Sequence, residues 1–241
     1  NQTIVESKIN KCLLDEAFRF PIEKSLTCCS RYISEYLTKG KLESIKEKCI
    51  LVRSECDTGK STLIRKVIKW FNVKRLVYIV SSKSLSNTQT TKLQEIGLDA
   101  INYQYLGDFD DLLEIDVVVT TIQSLYKLED LEFELCVMDE LCSIGRDAFC
   151  PVTNKKQRRN FDCLKHILKF SERTFGLDAH LTNAEVSFMK LWFGKDIKLV
   201  YNSFRPGKLN TPSQHAYIYP EPDHRKLKER GPHTLWYNAV N

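Results

Sequence analysis

The sequence predicts an α/β protein in which a mostly parallel sheet is flanked by helices. Three observations predict it. Short apolar runs alternate with segments of helical periodicity through the middle of the chain. One strand-to-helix junction reads Asp57-Thr58-Gly59-Lys60-Ser61. Another apolar run, Leu135-Cys136-Val137-Met138, leads directly into Asp139-Glu140. Strands separated by helices imply βαβ units, and these build parallel sheets covered on both faces.

The elements follow in order. Residues 1–45 read as an N-terminal helical extension, with mixed apolar and charged positions over 28–37 and 41–49. Residues 49–53 are short and apolar, as a strand buried on both faces should be. Residues 62–71 carry apolar residues at helical spacing, and 76–80 form a second strand. Residues 86–96 read as an amphipathic helix ending at Gly97, a residue suited to the left-handed turn that closes helices. Strands follow at 100–106, 115–120, 135–138, 174–177 and 197–201, with helices at 161–170 and 183–192. Residues 205–241 hold five of the seven prolines and read as a linker or the start of a further domain. The central 46–204 is then one compact α/β unit.

Bulk properties narrow the function classes. The chain has 241 residues, 42% of them hydrophobic, enough for a sizeable core. No window approaches ~18 uninterrupted apolar residues, so no membrane span is expected. The start of the chain shows no signal-peptide pattern and no Met. Nine cysteines, without a C-x-x-C pair, read as reduced thiols of an intracellular protein. Cys150, Cys163 and His166 are poorly spaced for zinc. A net charge of +5 is compatible with a polyanionic partner, and basic runs occur at 155–159 and 225–230.

The octet Ser54-Glu55-Cys56-Asp57-Thr58-Gly59-Lys60-Ser61 matches the second half of the phosphate-loop pattern G-x-x-x-x-G-K-[ST]. Ser54 replaces the first glycine. In a strand–loop–helix context the helix N-terminus and its amides favour phosphate. Thr58, Gly59, Lys60, Ser61 and Thr62 are therefore the candidate ATP-binding residues. Lys60 would meet the β- and γ-phosphates, and Ser61 would offer its hydroxyl to Mg²⁺. Glu55 and Asp57 bring negative charge into this loop, so at least one is expected to turn outward. At the end of its strand, Asp139 is the candidate Mg²⁺ ligand and Glu140 the candidate general base for an attacking water.

With these residues in hand the chain resembles the superfamily 2 helicases. More narrowly, it resembles the origin-binding-protein family of herpesviruses and large DNA viruses. Thr58-Gly59-Lys60-Ser61-Thr62 is similar to motif I of that family. Val80-Ser81-Ser82-Lys83-Ser84-Leu85, followed by Thr88-Gln89, is similar to motif Ia. Val119-Thr120-Thr121-Ile122-Gln123-Ser124-Leu125 resembles motif Ib. Val137-Met138-Asp139-Glu140, with Ile144-Gly145, resembles motif II. Phe175-Gly176-Leu177-Asp178-Ala179-His180-Leu181 resembles motif III.

The resemblance covers residues 45–205 and implies a RecA-like domain that couples Mg-ATP hydrolysis to movement on DNA in replication, in the nucleus or at a site of viral DNA replication. It implies Lys60 and Glu140 as catalytic residues. It places Ser82, Lys83, Thr120, Thr121 and Gln123 against the DNA backbone, with Asp178 and His180 coupling the two sites. A second RecA-like domain, or a homo-oligomer, is implied as well, because the sequence has no Q-x-x-G-R-x-x-R string. Two other readings stay open: a degenerate nucleic-acid-binding module that does not hydrolyse ATP, and a small-molecule P-loop kinase.

Overall fold

A computed structural model describes residues 19–105, 115–150 and 155–205. The expected linker beyond Arg205 and the first 18 residues lie outside the described residues.

Eight strands form one sheet: β1 (Ser25–Cys28), β2 (Cys49–Arg53), β3 (Leu76–Val80), β4 (Ala100–Asn102), β5 (Val117–Thr121), β6 (Leu135–Asp139), β7 (Arg173–Asp178) and β8 (Ile197–Asn202). Their order is β1-β8-β2-β7-β6-β3-β5-β4. Every neighbouring pair is parallel.

The helices are α1 (Ile33–Tyr36), α2 (Lys39–Ser44), α3 (Lys60–Phe71), α4 (Lys83–Gln94), α5 (Leu141–Phe149), α6 (Gln157–Phe170) and α7 (Asn183–Phe193). A 3₁₀ segment, Ile122–Leu128, follows β5.

The central strands β2, β3 and β6 are apolar along most of their length because both faces are covered. Successive side chains point to opposite faces, and the core divides accordingly. Cys49 and Leu51 of β2, Val77 and Ile79 of β3, and Cys136 and Met138 of β6 pack with α5, α6 and α7. Ile50 and Val52, Leu76 and Tyr78, and Leu135 and Val137 pack with α1 to α4. Gly176 of β7 lies where a Cβ would sit 2.6 Å from Leu51 Cδ2 and 2.8 Å from Leu141 Cδ2. A residue without a side chain is what lets α5 approach the sheet there.

The N-terminal extension carries the short helices α1 and α2 and also a strand that the sequence reading did not place. β1 extends the sheet by pairing Ser25–Cys28 with Leu199–Asn202. The helix expected over 28–37 contracts to one turn. Its first amide, that of Ile33, is tied to the Thr58 carbonyl at 2.8 Å, so the segment is fixed by a tertiary bond.

Among the described residues no helix is long and apolar enough to cross a membrane.

Candidate nucleotide site

The parallel sheet brings the carboxyl ends of β2, β3, β6 and β7 to one edge, and open parallel sheets bind ligands there. The loop after β2 curls tightly. Asp57 and Gly59 both have left-handed backbone, at φ 58° and 79°. Gly59 accepts that conformation without strain, and a Cβ placed there would lie 3.4 Å from Tyr32 Cδ1. α3 begins at Lys60, so its first amides point into the loop.

Lys60 Nζ donates to the carbonyls of Ser54 (2.6 Å) and Glu55 (2.9 Å). Asp57 is exposed, and Glu55 Oε1 is 3.9 Å from Arg205 Nε. Asp57 thus turns to solvent and Glu55 lies toward Arg205, and neither carboxylate pairs with Lys60 among the described residues.

Ser54 is fully buried. Its hydroxyl lies 2.6 Å from Thr58 Oγ1 and accepts from Asn202 Nδ2 at 3.1 Å. Its amide donates to the Asp178 carbonyl at 3.0 Å. The serine in place of the usual first glycine thus ties the loop to β7 and β8. Thr58 closes the turn by donating to the Glu55 carbonyl at 2.6 Å.

Asp139 ends β6 beside this loop. The Tyr78 hydroxyl donates to Asp139 Oδ2 at 2.9 Å, and Gln89 Nε2 donates to the same oxygen at 3.3 Å. Burial raises the Asp139 carboxyl above its ordinary value. The Tyr78 bond and the Lys60 charge oppose that rise, while Glu140 and Asp178 add to it. Tyr78 is itself held well above its usual range, by burial first and then by the Asp139 charge, so it stays a donor. The Ser61 hydroxyl also reaches the Tyr78 phenol. Ser61 and Asp139 thus both reach the Tyr78 hydroxyl, and the Lys60 charge acts on the Asp139 carboxyl. Thr62, one residue on, instead accepts from Arg65 on its own helix at 3.1 Å.

Glu140 is exposed, has φ 64°, and accepts from Ser81 Oγ at 2.5 Å. A non-glycine residue in that conformation is strained. The turn points its carboxylate out of the strand line, toward the loop after β3. Asp178 is buried and accepts from the amides of Cys142 and His180, both at 2.8 Å. The first bond sets a carboxylate on the N-terminus of α5, where the helix dipole favours it. Asp178 therefore joins β7 to the helix that follows Asp139-Glu140. His180 is exposed and enters this contact through its backbone.

The remaining candidates lie further along the same edge. Ser82 caps α4, accepting from the Leu85 amide at 3.2 Å, and Lys83 is exposed beside it. Thr120 and Thr121 are buried, and the Thr120 hydroxyl donates to the Thr121 carbonyl. Gln123 Nε2 donates to Asp147 Oδ2 at 3.1 Å, and its carbonyl accepts from Asn160 Nδ2 at 3.0 Å. Ser82 and Lys83 thus present surface to a ligand, whereas the hydroxyls of Thr120 and Thr121 face inward.

Sequence reading missed Tyr78 and Asn202, and gave Gln89 a place in a motif but no role at Asp139. Tyr78 left a signal: a hydroxyl inside the run Leu76-Val77-Tyr78-Ile79-Val80 needs a buried partner. Asn202 left none, since its partner Ser54 is distant in the chain. Among the described residues no three His, Cys, Asp or Glu side chains converge to hold a metal by themselves. The eight described cysteines are free thiols. Burial pushes the Cys163 thiol up to about 12, and its Sγ donates to the Leu125 carbonyl at 2.9 Å.

No known protein-family profile matches the chain. Two proteins of Acanthamoeba polyphaga mimivirus are similar in sequence. One is named "Putative replication origin-binding protein", 25% identical over 179 residues that span 68% of this chain and 22% of that protein. The other is named "Uncharacterized putative helicase R8", 21% identical over 165 residues, spanning 63% of this chain and 15% of that one. Among solved structures, the Pyrococcus furiosus Hef helicase domain aligns at 16% identity and a TM-score of 0.47, over 71% of this chain and 38% of that one. The chain is thus related in sequence to proteins named as an origin-binding protein and a helicase, and it spans less than a quarter of each.

Proposed function

We propose that this chain is the ATP-binding half of a nucleic-acid-dependent motor, acting on DNA in replication as an origin-binding-type helicase. The observation that carries the reading is Asp139 at a strand end, bonded to the Tyr78 hydroxyl that Ser61 also reaches, with the Lys60 charge acting on the Asp139 carboxyl.

The residues fit the Mg-ATP group. Lys60 exchanges its two carbonyl partners for phosphate oxygens, and the α3 N-terminus adds its amides. Ser61 and Asp139 would hold the Mg²⁺ ion. Bound Mg-ATP supplies the phosphoryl group to be transferred and neutralises part of its charge. Tyr78 and Gln89 orient Asp139, and the Tyr78 bond keeps the buried carboxyl more acidic than burial alone would. Glu140, on its strained turn, takes the proton of the attacking water. Asp178, bonded to the N-terminus of α5, links that turn to β7. Ser82 and Lys83 contact the DNA backbone without reading sequence. A second RecA-like domain, or another copy of the chain, completes the site.

The test is ATP turnover with and without single-stranded DNA, measured with the partner domain that completes the site present. Stimulation by DNA that Glu140→Gln abolishes, with ATP binding retained, supports the reading. No turnover alongside intact DNA binding favours a degenerate binding module. Turnover that ignores DNA and requires a small acceptor favours a kinase. Either of the last two results overturns the proposal.

A further inference from the structure

A groove of about 1310 Å³ lies between residues 19–24 and α7, over β8. It is separate from the nucleotide site, and nothing in the mechanism above uses it. Five cationic side chains line it, Arg19, Lys24, Arg53, Lys190 and Lys195, against one carboxylate, Glu23. None of the five forms an ion pair among the described residues.

Arg53 is the built element. Its guanidinium lies 5.5 Å from the Phe20 ring centroid and 5.7 Å from that of Tyr201. The two rings are themselves 5.9 Å apart. Aromatic faces attract the cation without using its N–H donors, so those donors stay directed by packing and free for an anion. Lys190 and Lys195 are exposed on the opposite wall.

We infer that this groove binds the backbone of a single-stranded nucleic acid. The cations come from three separate chain segments, with the apolar surface of Pro21, Ile22 and Ile197 between them. One wall follows α7 from Asn183 to beyond its end at Gly194, a length of ~17 Å at the helical rise. A phosphate ion or a lone nucleotide would engage one or two of these cations. A strand that alternates charged phosphates with flat apolar bases matches the whole lining. Lysines acting as point charges give affinity without sequence preference.

The inference does not rest on the ATP site, and its test omits nucleotide. Binding of fluorescein-labelled oligo-dT to the full chain is read by anisotropy across a salt series, with polyglutamate as a competing polyanion. Lys190→Glu/Lys195→Glu is expected to weaken binding at least fivefold and to flatten the salt slope by about 1.4, the contribution of two phosphate contacts. Lys190→Gln/Lys195→Gln is expected to show the same flattening with a smaller loss, and thermal melts confirm that both variants fold. Ser82→Ala/Lys83→Ala serves as the comparison at the other edge. Unchanged affinity and slope in both lysine variants overturn the inference; if Ser82→Ala/Lys83→Ala weakens binding at the same time, the proposed function stands without the groove. Displacement of oligo-dT by equimolar polyglutamate overturns it too, since the groove would then fit an acidic peptide.

Discussion

Tyr78→Phe removes one hydroxyl and leaves the ring in place. In the folded protein that hydroxyl donates to Asp139 Oδ2 at 2.9 Å, inside a sheet where Tyr78 is 1% exposed. Asp139 keeps Gln89 at 3.3 Å and the attraction of Lys60, so the loss is one bond of several. A hydrogen bond to a charged group is worth ~1.5–3 kcal/mol, and one between neutral groups ~0.5–1.5 kcal/mol. The cost of the substitution therefore depends on whether Asp139 is ionised. Burial already raises the Asp139 carboxyl in the folded state. A carboxyl raised on folding holds its proton longer in the native state, so its ionisation destabilises the fold as pH rises through the folded value. Without Tyr78 the anion loses a stabilising donor and that value rises further. The expected outcome is a loss of ~1.5–3 kcal/mol at pH 8, shrinking to ~1 kcal/mol or less once acid protonates Asp139. Urea unfolding of both proteins at several pH values measures it. A loss independent of pH, or larger in acid, would refute the argument that Tyr78 stabilises the Asp139 carboxylate.

Two further outcomes follow from the packing. Gly176→Ala places a methyl 2.6 Å from Leu51 Cδ2 and 2.8 Å from Leu141 Cδ2, both fully buried. It should lower stability by ~1–3 kcal/mol, and an unchanged urea midpoint would contradict the tight β7–α5 contact. Ser54→Gly restores the common phosphate-loop residue but removes the hydroxyl shared with Thr58 and Asn202. It should lower the unfolding free energy by ~1–2 kcal/mol and leave nucleotide affinity no better. A stabilised variant would show that this serine does not brace the loop.

The parts of the fold legible in the sequence were those where local pattern and tertiary demand agree. The runs at 49–52, 76–80 and 135–138 are apolar or aromatic at every position because they are covered on both faces, and the strands lie there. β1 was not legible. Ser25-Leu26-Thr27-Cys28 is short and half-polar, and only pairing with Leu199–Asn202 makes it a strand. α5 was missed because Leu141-Cys142-Ser143-Ile144-Gly145 has weak helix formers; its start is set by Asp178, far along the chain, accepting the Cys142 amide. In the site, the strand-ending residues were legible as chemistry. The groups that orient them were not: Tyr78 and Gln89 reach Asp139 across the sheet edge, and Ser54 reaches Asn202. No short spacing in the chain encodes those distances.

The central claim is that the loop holding Lys60 and the strand end holding Asp139 form one Mg-ATP site. Calorimetric titration of ATP, with and without Mg²⁺, into the protein and its Lys60→Ala variant tests it most directly. Loss of a buried, hydrogen-bonded charge costs about 2–5 kcal/mol, so the account predicts Mg²⁺-dependent binding weakened about 30-fold or more in the variant. Equal affinity for ATP in both proteins would contradict it.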